Sequence, residues 1–463
     1  MSDNIYSLLA SRFPADRSRP CFLIGAQAVS YGAVEAGAQR LAGYLIARGV
    51  KPGDRVAVQA PKTVEQVMLY LAVLMAGAVY LPLNTAYTAT EVRYFLEDAA
   101  PVLFITDAVA FAAEAEGAEP LAQAVPRAAE DLAAIVYTSG TTGRSKGAMI
   151  SHCNMASNAL ALHTAWGFRP GDVLLHALPI FHIHGLFVAL HTALLNGSAM
   201  LWHAKFDADA VIADLPRATV LMGVPTFYTR LLEHPGFTQA VAAPLRLYIC
   251  GSAPLLEQTF TAFEARTGHR ILERYGMSEA GIITSNPLDG DRVAGSVGYP
   301  LPGVELRIGD GGGIEIRGES VFSGYWRMPE KTAEEFTADG FFKTGDVGRQ
   351  DPDGRVWISG RAKDLIISGG FNVYPKEVEQ VLDALPGVVE SAVIGLSHPD
   401  FGEAVVAVIA GWGDEAAVIA AVREQLAAFK TPKRVFFVDD LPRNAMGKVQ
   451  KAELRARYRD AFL

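Results

Sequence analysis

A loop rich in glycine and hydroxyl side chains offers the clearest chemistry in the sequence. Residues 134–147 run from an apolar segment into three glycines, five Ser or Thr hydroxyls, one arginine and one lysine. Glycines let backbone N–H groups converge on an anion, and the hydroxyls and Lys146 add further donors. The spacing is not that of a Walker A loop, because Gly140 and Gly143 are three apart and Lys146 precedes Gly147. The sequence therefore predicts a phosphate site here, with a plain surface turn as the alternative.

Four further polar motifs follow the loop along the chain. They are Tyr-Gly-Met-Ser-Glu at 275–279, Thr-Gly-Asp at 344–346, Gly-Arg-Ala-Lys-Asp at 360–364 with Ser-Gly-Gly-Phe-Asn-Val-Tyr-Pro at 368–375, and Pro-Arg-Asn-Ala-Met-Gly-Lys at 442–448. Taken singly, each has an ordinary explanation. A carboxylate after a glycine is usually solvated, Thr-Gly-Asp is a common turn, and a loop lysine is usually exposed.

Taken together and in this order, the loop and the four motifs resemble the signatures of the adenylate-forming superfamily. That superfamily includes acyl-CoA synthetases, luciferases and the adenylation domains of peptide synthetases, and the resemblance covers residues 134–451. It implies a two-step reaction in which ATP and a carboxylic acid form an acyl-AMP, after which a thiol displaces AMP. The implied cofactors are ATP, Mg²⁺ and coenzyme A.

The resemblance also implies a role for each matching residue. Lys448 is the expected catalytic lysine, because joining two anions requires positive charge at the α-phosphate. Glu279 is expected to hold Mg²⁺, a hard cation that prefers oxygen ligands, and Ser278 keeps a hydroxyl where the family more often has Thr. Asp346 is expected to accept hydrogen bonds from the ribose. The full set expected to bind ATP or AMP is Thr138, Ser139, Gly140, Thr141, Thr142, Gly143, Lys146, Gly251, Ser252, Ala253, Pro254, Arg274, Tyr275, Gly276, Met277, Ser278, Asp346 and Arg361.

Two half-reactions at one site imply movement of a small domain. Lys363 occupies the family's hinge position, and rotation about a few residues is a common switching mode. Gly369 and Gly370 are expected to line the path of the CoA pantetheine, where missing side chains allow close approach. A lysine acetyltransferase acting on Lys448 is a candidate partner, because acetylation would remove the required charge.

Three stretches, 178–187, 222–231 and 285–298, resemble malonyl-CoA synthetases. A dicarboxylic acid must bury its second carboxylate against a fixed partner, and an arginine can hold both oxygens. The resemblance makes Arg292 the candidate, with His182, His184 and Ser285 completing the pocket. His182 also recurs in relatives that use other acids, which favours a general architectural role for it. Malonate is the expected substrate, and methylmalonate is a second candidate because one methyl group changes discrimination by only about 1–3 kcal/mol.

The elements behind these motifs alternate between helical patterns and short apolar runs. Strands are predicted at 55–59, 134–137, 173–177, 245–250 and 271–274, and the alternation predicts a large α/β domain. Ser151 and Asn154 suit the start of a helix that continues to residue 162. The apolar segment 67–80 is shorter than the roughly 20 residues that span a bilayer, so it predicts a buried helix running into a strand.

After residue 361 the pattern changes to a smaller α+β unit. It is predicted to contain a helix at 376–385, strands at 388–395 and 404–409, a helix at 415–428, a strand at 434–438 and a basic terminal helix. The boundary is expected at 360–364. It gives an AMP-binding domain of several subdomains at 1–362 and a mobile C-terminal lid domain at 363–463.

Composition narrows the function classes. The 463-residue chain carries a formal charge of −9, which disfavours a broad nucleic-acid-binding surface. Its three cysteines form no CxxC pair, and the first residues lack the pattern of a signal peptide. These features predict a cytoplasmic enzyme without a membrane or nucleic-acid partner.

Three alternatives to a malonate enzyme stay open. One is an acid–CoA ligase for another short acid, and the second is an adenylation enzyme that loads a carrier protein. We expect no attached carrier domain, and Gly369-Gly370 suits CoA. The third is a non-catalytic AMP- or ATP-binding regulator, which the intact Lys448, Glu279 and Asp346 argue against.

Overall fold

A computed structural model describes residues 3–138, 145–444 and 447–462. The chain divides into two compact units, which are residues 1–305 with 316–342 and residues 306–315 with 343–463. The mixed α/β fold, with a large N-terminal domain and a smaller C-terminal one, is confirmed. The boundary after residue 362 stays a prediction, because compactness alone does not test where a lid domain would begin to move.

The first unit contains a five-stranded sheet that carries the ends of the phosphate loop. Its strands lie in the order Leu103–Ile105, Arg55–Val58, Val79–Pro82, Leu132–Thr138 and Lys146–Ser151. Pairing is parallel except at the last step, where an antiparallel hairpin places Thr138 opposite Lys146. Side chains of alternate strand residues, including Ile135 and Tyr137, pack with Phe95 into one core.

Nine strands of the same unit form a second row. Their order is Ser296–Pro300, Gly281–Ser285, Leu272–Met277, Leu247–Cys250, Val220–Gly223, Val173–His176, Ala199–Trp202, Pro20–Ile24 and Gln27–Ser30. The six consecutive strands from Leu272–Met277 to Pro20–Ile24 are parallel to one another. Carboxyl ends of parallel strands meet at one edge of a sheet, which is where ligands bind in such folds. His176 at the end of its strand, and His203 and Gly251 directly after theirs, therefore lie at the same edge of the sheet.

Helices cover these sheets. In the first unit they are Ile5–Ser11, Tyr31–Ala47, Val64–Met75, Ala89–Ala99, Ala108–Glu114, His152–Ala165, His191–Asn196, Ala208–Asp214, Pro225–Glu233, Gln239–Ala242, Glu257–Thr267 and Pro329–Glu335, with a π-helix at His184–Leu190 and a 3-10 turn at Leu215–Arg217. Ser151 caps its helix through a reciprocal pair of hydrogen bonds with Asn154, as predicted. The segment 67–80 also forms a buried helix and then a strand. Within the described residues, no helix is long and apolar enough to cross a membrane.

The second unit combines a hairpin with a small mixed sheet. The remaining strands and turns along the chain are Val304–Ile308, Asp310–Gly312 (3-10), Gly313–Gly318, Phe342–Gln350, Val356–Arg361 and Ala362–Asp364 (3-10). The sheet follows with the order Phe371–Val373, Ile366–Ser368, Gly402–Gly411 and Val388–His398, and Arg434–Val438 pairs parallel to Gly402–Gly411. Three helices complete the unit, namely Pro375–Asp383, Glu415–Gln425 and Lys451–Arg457. One apolar core of this unit contains Val378 and Val422, and a second contains Ile394 and Leu454.

Candidate active site

The phosphate-loop hairpin is held at its base by close packing. A Cβ atom on Gly147 would lie 2.8 Å from Ile135 and 3.4 Å from both Tyr137 and Trp326, so a side chain would not fit without displacing them. The segment before Trp326 pairs with the strand after the loop, through a bridge between Ala148 and Tyr325. The amide of Trp326 also donates to the carbonyl of Gly147 at 2.8 Å. Five predicted ligands of this loop, Ser139, Gly140, Thr141, Thr142 and Gly143, lie outside the described residues.

Glu279 and Lys146 both contact Tyr325, a residue that no sequence motif indicates. The Glu279 carboxylate is 6% exposed and accepts hydrogen bonds from the Tyr325 hydroxyl at 3.1 Å and from Thr138 at 3.4 Å. The Lys146 ammonium lies 4.1 Å from the centre of the Tyr325 ring and 3.4 Å from Glu335. Tyr325 therefore contacts the predicted metal ligand with its hydroxyl and the phosphate-loop lysine with its ring.

This arrangement fits Mg²⁺ bound together with a nucleotide. Mg²⁺ is usually held by one or two carboxylates plus phosphate oxygens rather than by an all-protein cage. Glu279 supplies one buried carboxylate beside two hydroxyls. Where the structure describes the chain, no group of three or more His, Cys, Asp or Glu residues could hold a metal ion by itself.

The segment around 275–279 is shaped by a tight strand pair. Strand Leu272–Met277 runs antiparallel to Gly281–Ser285, and a Cβ on Gly276 would lie 2.2 Å from the Gly281 carbonyl oxygen. Tyr275, Met277 and Ser278 are half-buried beside it. Residues 251–254 follow the buried strand Leu247–Cys250, and Ser252 has a φ of 73°, unusual for a residue with a side chain.

Arg274 is a buried cation with open hydrogen-bond donors within the described part of the chain. The residue is 4% exposed, and its Nε and Nη2 atoms have no hydrogen-bond partner among the described residues. The guanidinium packs against Gly251, where a Cβ would lie 2.6 Å from its Cζ. Burial lowers the pKa of Arg274 to about 10. Buried polar groups are nearly always hydrogen-bonded, so open donors on a buried cation indicate an anion site.

His184 and Ser252 lie beside this cation. The Ser252 hydroxyl is 3.1 Å from His184 Nδ1, and His184 Nε2 has no partner in the described part of the chain. Burial lowers the pKa of His184 well below its usual value, and the charge of Arg274 lowers it further. His184 is therefore a neutral hydrogen-bonding group next to a positive charge.

The other predicted acid-pocket residues have partners within the protein. Arg292 donates to the carbonyls of Pro287 at 3.2 Å, Arg270 at 2.7 Å and Leu288 at 2.8 Å. The Ser285 hydroxyl accepts a hydrogen bond from Trp166 at 3.0 Å and donates to the carbonyl of Asn286 at 2.8 Å. His182 Nδ1 accepts from the backbone of His184 at 3.2 Å. Contact of these three residues with an acid stays a prediction.

Four predicted residues come together in the second unit. Asp346 is 3% exposed, and Arg361, opposite it in the hairpin, binds its carboxylate at 2.7 Å. Lys448 is exposed as a residue, but its ammonium is partly removed from water. This desolvation, followed by the charge of Arg361, lowers the pKa of Lys448 to about 8, and Asp346, Lys363 and Asp364 also act on it.

Gly369 and Gly370 form the two-residue turn between strands Ile366–Ser368 and Phe371–Val373. Their φ angles are 59° and 83°, the left-handed values that such hairpin turns require. Space beside Gly370 is open, since, apart from its chain neighbours, no atom of the described residues lies within 4 Å of a Cβ built there. Lys363 lies in the single turn Ala362–Asp364, directly after the strand that ends at Arg361.

Comparison with known proteins identifies the class. Residues 10–326 match the AMP-binding enzyme family, and residues 377–448 match the C-terminal domain of AMP-binding enzymes. The chain therefore belongs to the AMP-binding enzyme family, and it is an ATP-dependent acyl-CoA synthetase.

Individual relatives act on different acids. The 3-[(3aS,4S,7aS)-7a-methyl-1,5-dioxo-octahydro-1H-inden-4-yl]propanoyl:CoA ligase of Mycobacterium tuberculosis is 39% identical, over 89% of this chain and 90% of that protein. A malonate–CoA ligase of Arabidopsis thaliana is 35% identical over 88% and 78%. The crystal structure of ATP-bound MatB from Rhodopseudomonas palustris is 50% identical, covers 100% of both chains and superposes with a TM-score of 0.96.

Proposed function

We propose that this enzyme is a malonate–CoA ligase. It would convert ATP, malonate and CoA to malonyl-CoA, AMP and diphosphate through a malonyl-adenylate, with methylmalonate as a second substrate. The observation that carries the proposal is buried Arg274, whose Nε and Nη2 donors have no partner among the described residues. The family resemblance implies a nucleotide contact for Arg274, and the proposal assigns these donors to the acid instead. The similarity to malonate–CoA ligases supports it.

A dicarboxylic acid fits the open donors better than a monocarboxylic acid does. One carboxylate of any acid must react with ATP, so only a second carboxylate is available for Arg274. A planar guanidinium can hold both carboxylate oxygens, which offsets the cost of burying both charges. The neutral His184 and the Ser252 hydroxyl supply further hydrogen bonds.

The chain's other residues take the following roles in the proposal. A carboxylate oxygen of the acid attacks the α-phosphorus, diphosphate leaves, and the Lys448 ammonium stabilises the added negative charge. Asp346 and Arg361 bind the ribose and phosphate. Glu279 and Thr138 would hold Mg²⁺, which when bound neutralises phosphate charge. In the second step the CoA thiolate attacks the acyl carbon and AMP leaves, after the lid domain rotates about Lys363 and brings the turn at Gly369 and Gly370 to the pantetheine.

An assay of AMP and thioester formation over a panel of acids tests the proposal. Malonate should give the highest kcat/KM. For methylmalonate the free energy of transition-state binding should be less favourable by about 1–3 kcal/mol, and acetate and aryl acids should give low kcat/KM. A preference for a monocarboxylic acid would refute the malonate assignment. AMP release without thioester would favour the carrier-loading alternative, and the absence of both products would favour a regulator.

A further inference from the structure

Lys62 is a second cation behind the proposed acid pocket. Its ammonium lies 2.9 Å from His176 Nδ1, 2.8 Å from the carbonyl oxygen of His176 and 2.7 Å from that of His203. It also lies 4.0 Å from the centre of the Trp202 ring. Three acceptors and an aromatic face suit the three N–H donors and the charge of an ammonium group.

The hydrogen bonds of His176 fix the charge of the pair. Its Nε2 lies 2.9 Å from the carbonyl oxygen of Gly185, which can only accept, so Nε2 carries a proton. Burial lowers the pKa of both Lys62 and His176 and so disfavours their charged forms. If both side chains were neutral and His176 carried its proton on Nε2, the Lys62 amine would have two N–H donors for three acceptors, and its lone pair would face the lone pair of one of them at 2.9 Å or less. If the proton were on Nδ1 instead, the Nε2 lone pair would face the carbonyl oxygen of Gly185 at 2.9 Å. The pair therefore holds one positive charge.

Among the described residues, the groups that bind Lys62 carry no negative charge. Its acceptors are two carbonyl oxygens and an imidazole nitrogen. The carboxylate of Asp214, at the far side of His203, is paired with His203 at 3.0 Å and with Arg217 at 2.8 Å. Arg274 likewise has open donors on two nitrogens within the described residues.

The charge is connected directly to the pocket. His176 ends the strand Val173–His176, and the Gly185 carbonyl that it binds follows His184 in the chain. The π-helix His184–Leu190 starts at this point, an irregularity that is frequent at functional sites. A Cβ on Gly185 would lie 2.1 Å from the Pro179 carbonyl oxygen, so the backbone here is closely packed. One hydrogen bond thus separates the Lys62–His176 pair from the backbone that carries His184.

We propose that Lys62, through its pair with His176, is a specificity-determining residue that favours doubly charged acids over singly charged ones. This inference rests on the proposed function. Near neutral pH a malonate-like diacid carries two negative charges and acetate carries one. A pocket that contains Arg274 and has the Lys62–His176 charge behind it gains more from the diacid, because each additional charge pair contributes Coulomb energy that a partly buried site screens only weakly.

The test compares Lys62→Met with the matched control Lys205→Met, which removes an exposed lysine two residues after His203. The measurements are kcat/KM for malonate and for acetate, with thermal unfolding to establish that both variants fold. In Lys62→Met, kcat/KM for malonate should fall on the order of tenfold or more, mainly through KM, while that for acetate changes less than about threefold. The control should leave both unchanged.

Equal losses with both acids would overturn the inference, because they would mean that Lys62 only supports packing. An unchanged malonate value would also overturn it. If Lys62→Met does not fold, Lys62→Gln keeps hydrogen-bond donors without the charge and faces the same comparison. If the wild-type enzyme prefers a different diacid, the malonate assignment fails, while the ratio between that diacid and acetate still tests Lys62.

Discussion

Replacing Arg274 by methionine should separate substrate recognition from stability. Methionine keeps most of the side-chain length but removes the charge. Arg274 is 4% exposed, so a carboxylate bound to it is withdrawn from water with its partner. Removing one partner of a buried ion pair typically costs about 3–5 kcal/mol, which corresponds to a roughly 10²- to 10³·⁵-fold loss. We expect a loss of that size in kcat/KM for malonate, and a much smaller one for acetate.

The same substitution should not destabilise the free enzyme. Two guanidinium nitrogens lack partners within the described residues, and burial already disfavours the charged form, as the lowered pKa of Arg274 shows. Burying a charge without a partner costs free energy, and an apolar side chain of similar size does not carry that cost. The melting temperature of Arg274→Met without acid should therefore match or exceed that of the wild type. Malonate should no longer raise it.

Arg292→Met is the matched control. It removes three hydrogen bonds to backbone carbonyls, so we expect it to lower the free energy of unfolding by about 1–3 kcal/mol and to leave malonate selectivity in place. Steady-state kinetics give kcat/KM for malonate and for acetate, and thermal unfolding gives the melting temperature with and without malonate. If Arg292→Met lost malonate selectively and Arg274→Met did not, the reasoning from open donors would be refuted and the sequence-based choice of Arg292 would be right.

Four further predictions concern the other residues. Because adenylation needs the Lys448 ammonium and its pKa is lowered to about 8, kcat/KM for ATP should be full below pH 8 and fall as the pH rises through it; a flat profile to pH 10 would contradict this. Acetylation of Lys448 should abolish malonyl-AMP formation, as isotope exchange between diphosphate and ATP would report, and undiminished exchange in a fully acetylated sample would refute it. Tyr325→Phe removes the hydroxyl that donates to Glu279, so ATP affinity measured calorimetrically should weaken about tenfold with Mg²⁺ and stay unchanged without it; equal losses would mean a packing role. Lys363→Pro fixes φ at the proposed hinge and should slow CoA attack on supplied malonyl-AMP far more than adenylation, whereas equal rates would remove the hinge assignment.

Much of the fold could be predicted from the sequence, because apolar periodicity records which residues are buried. The predicted strand 434–438 is the observed Arg434–Val438, and the predicted strand at 134–137 lies within Leu132–Thr138. The helix predicted at 415–428 ends at Gln425 instead. Leu426, the first residue after the helix, is extended, with φ −125° and ψ 156°. Residues 426–428 are Leu-Ala-Ala, which is compatible with a helix, so the residue types alone do not mark where the helix ends.

The site was only partly predictable for a different reason. Motifs at 138–147, 275–279 and 442–448 are continuous in the chain, so their resemblance to a family can be read directly. Arg274 and Arg292 look alike in sequence, and they differ in which hydrogen bonds the fold already supplies. Tyr325 and Lys62 act through contacts with residues 46 and 114 positions away. Whether a donor or acceptor has a hydrogen-bond partner depends on the folded chain, so it cannot be predicted from a local sequence pattern.

The hairpin at the phosphate loop affects which substitutions the chain can tolerate. Since Thr138 pairs with Lys146 in the ladder, the sheet positions both ends of the phosphate loop, and the residue that directly follows Lys146 is part of that support. A substitution at Gly147 would meet Ile135 and Trp326 at once. In a library of random variants, substitutions at Gly147 should therefore be depleted among the variants that fold.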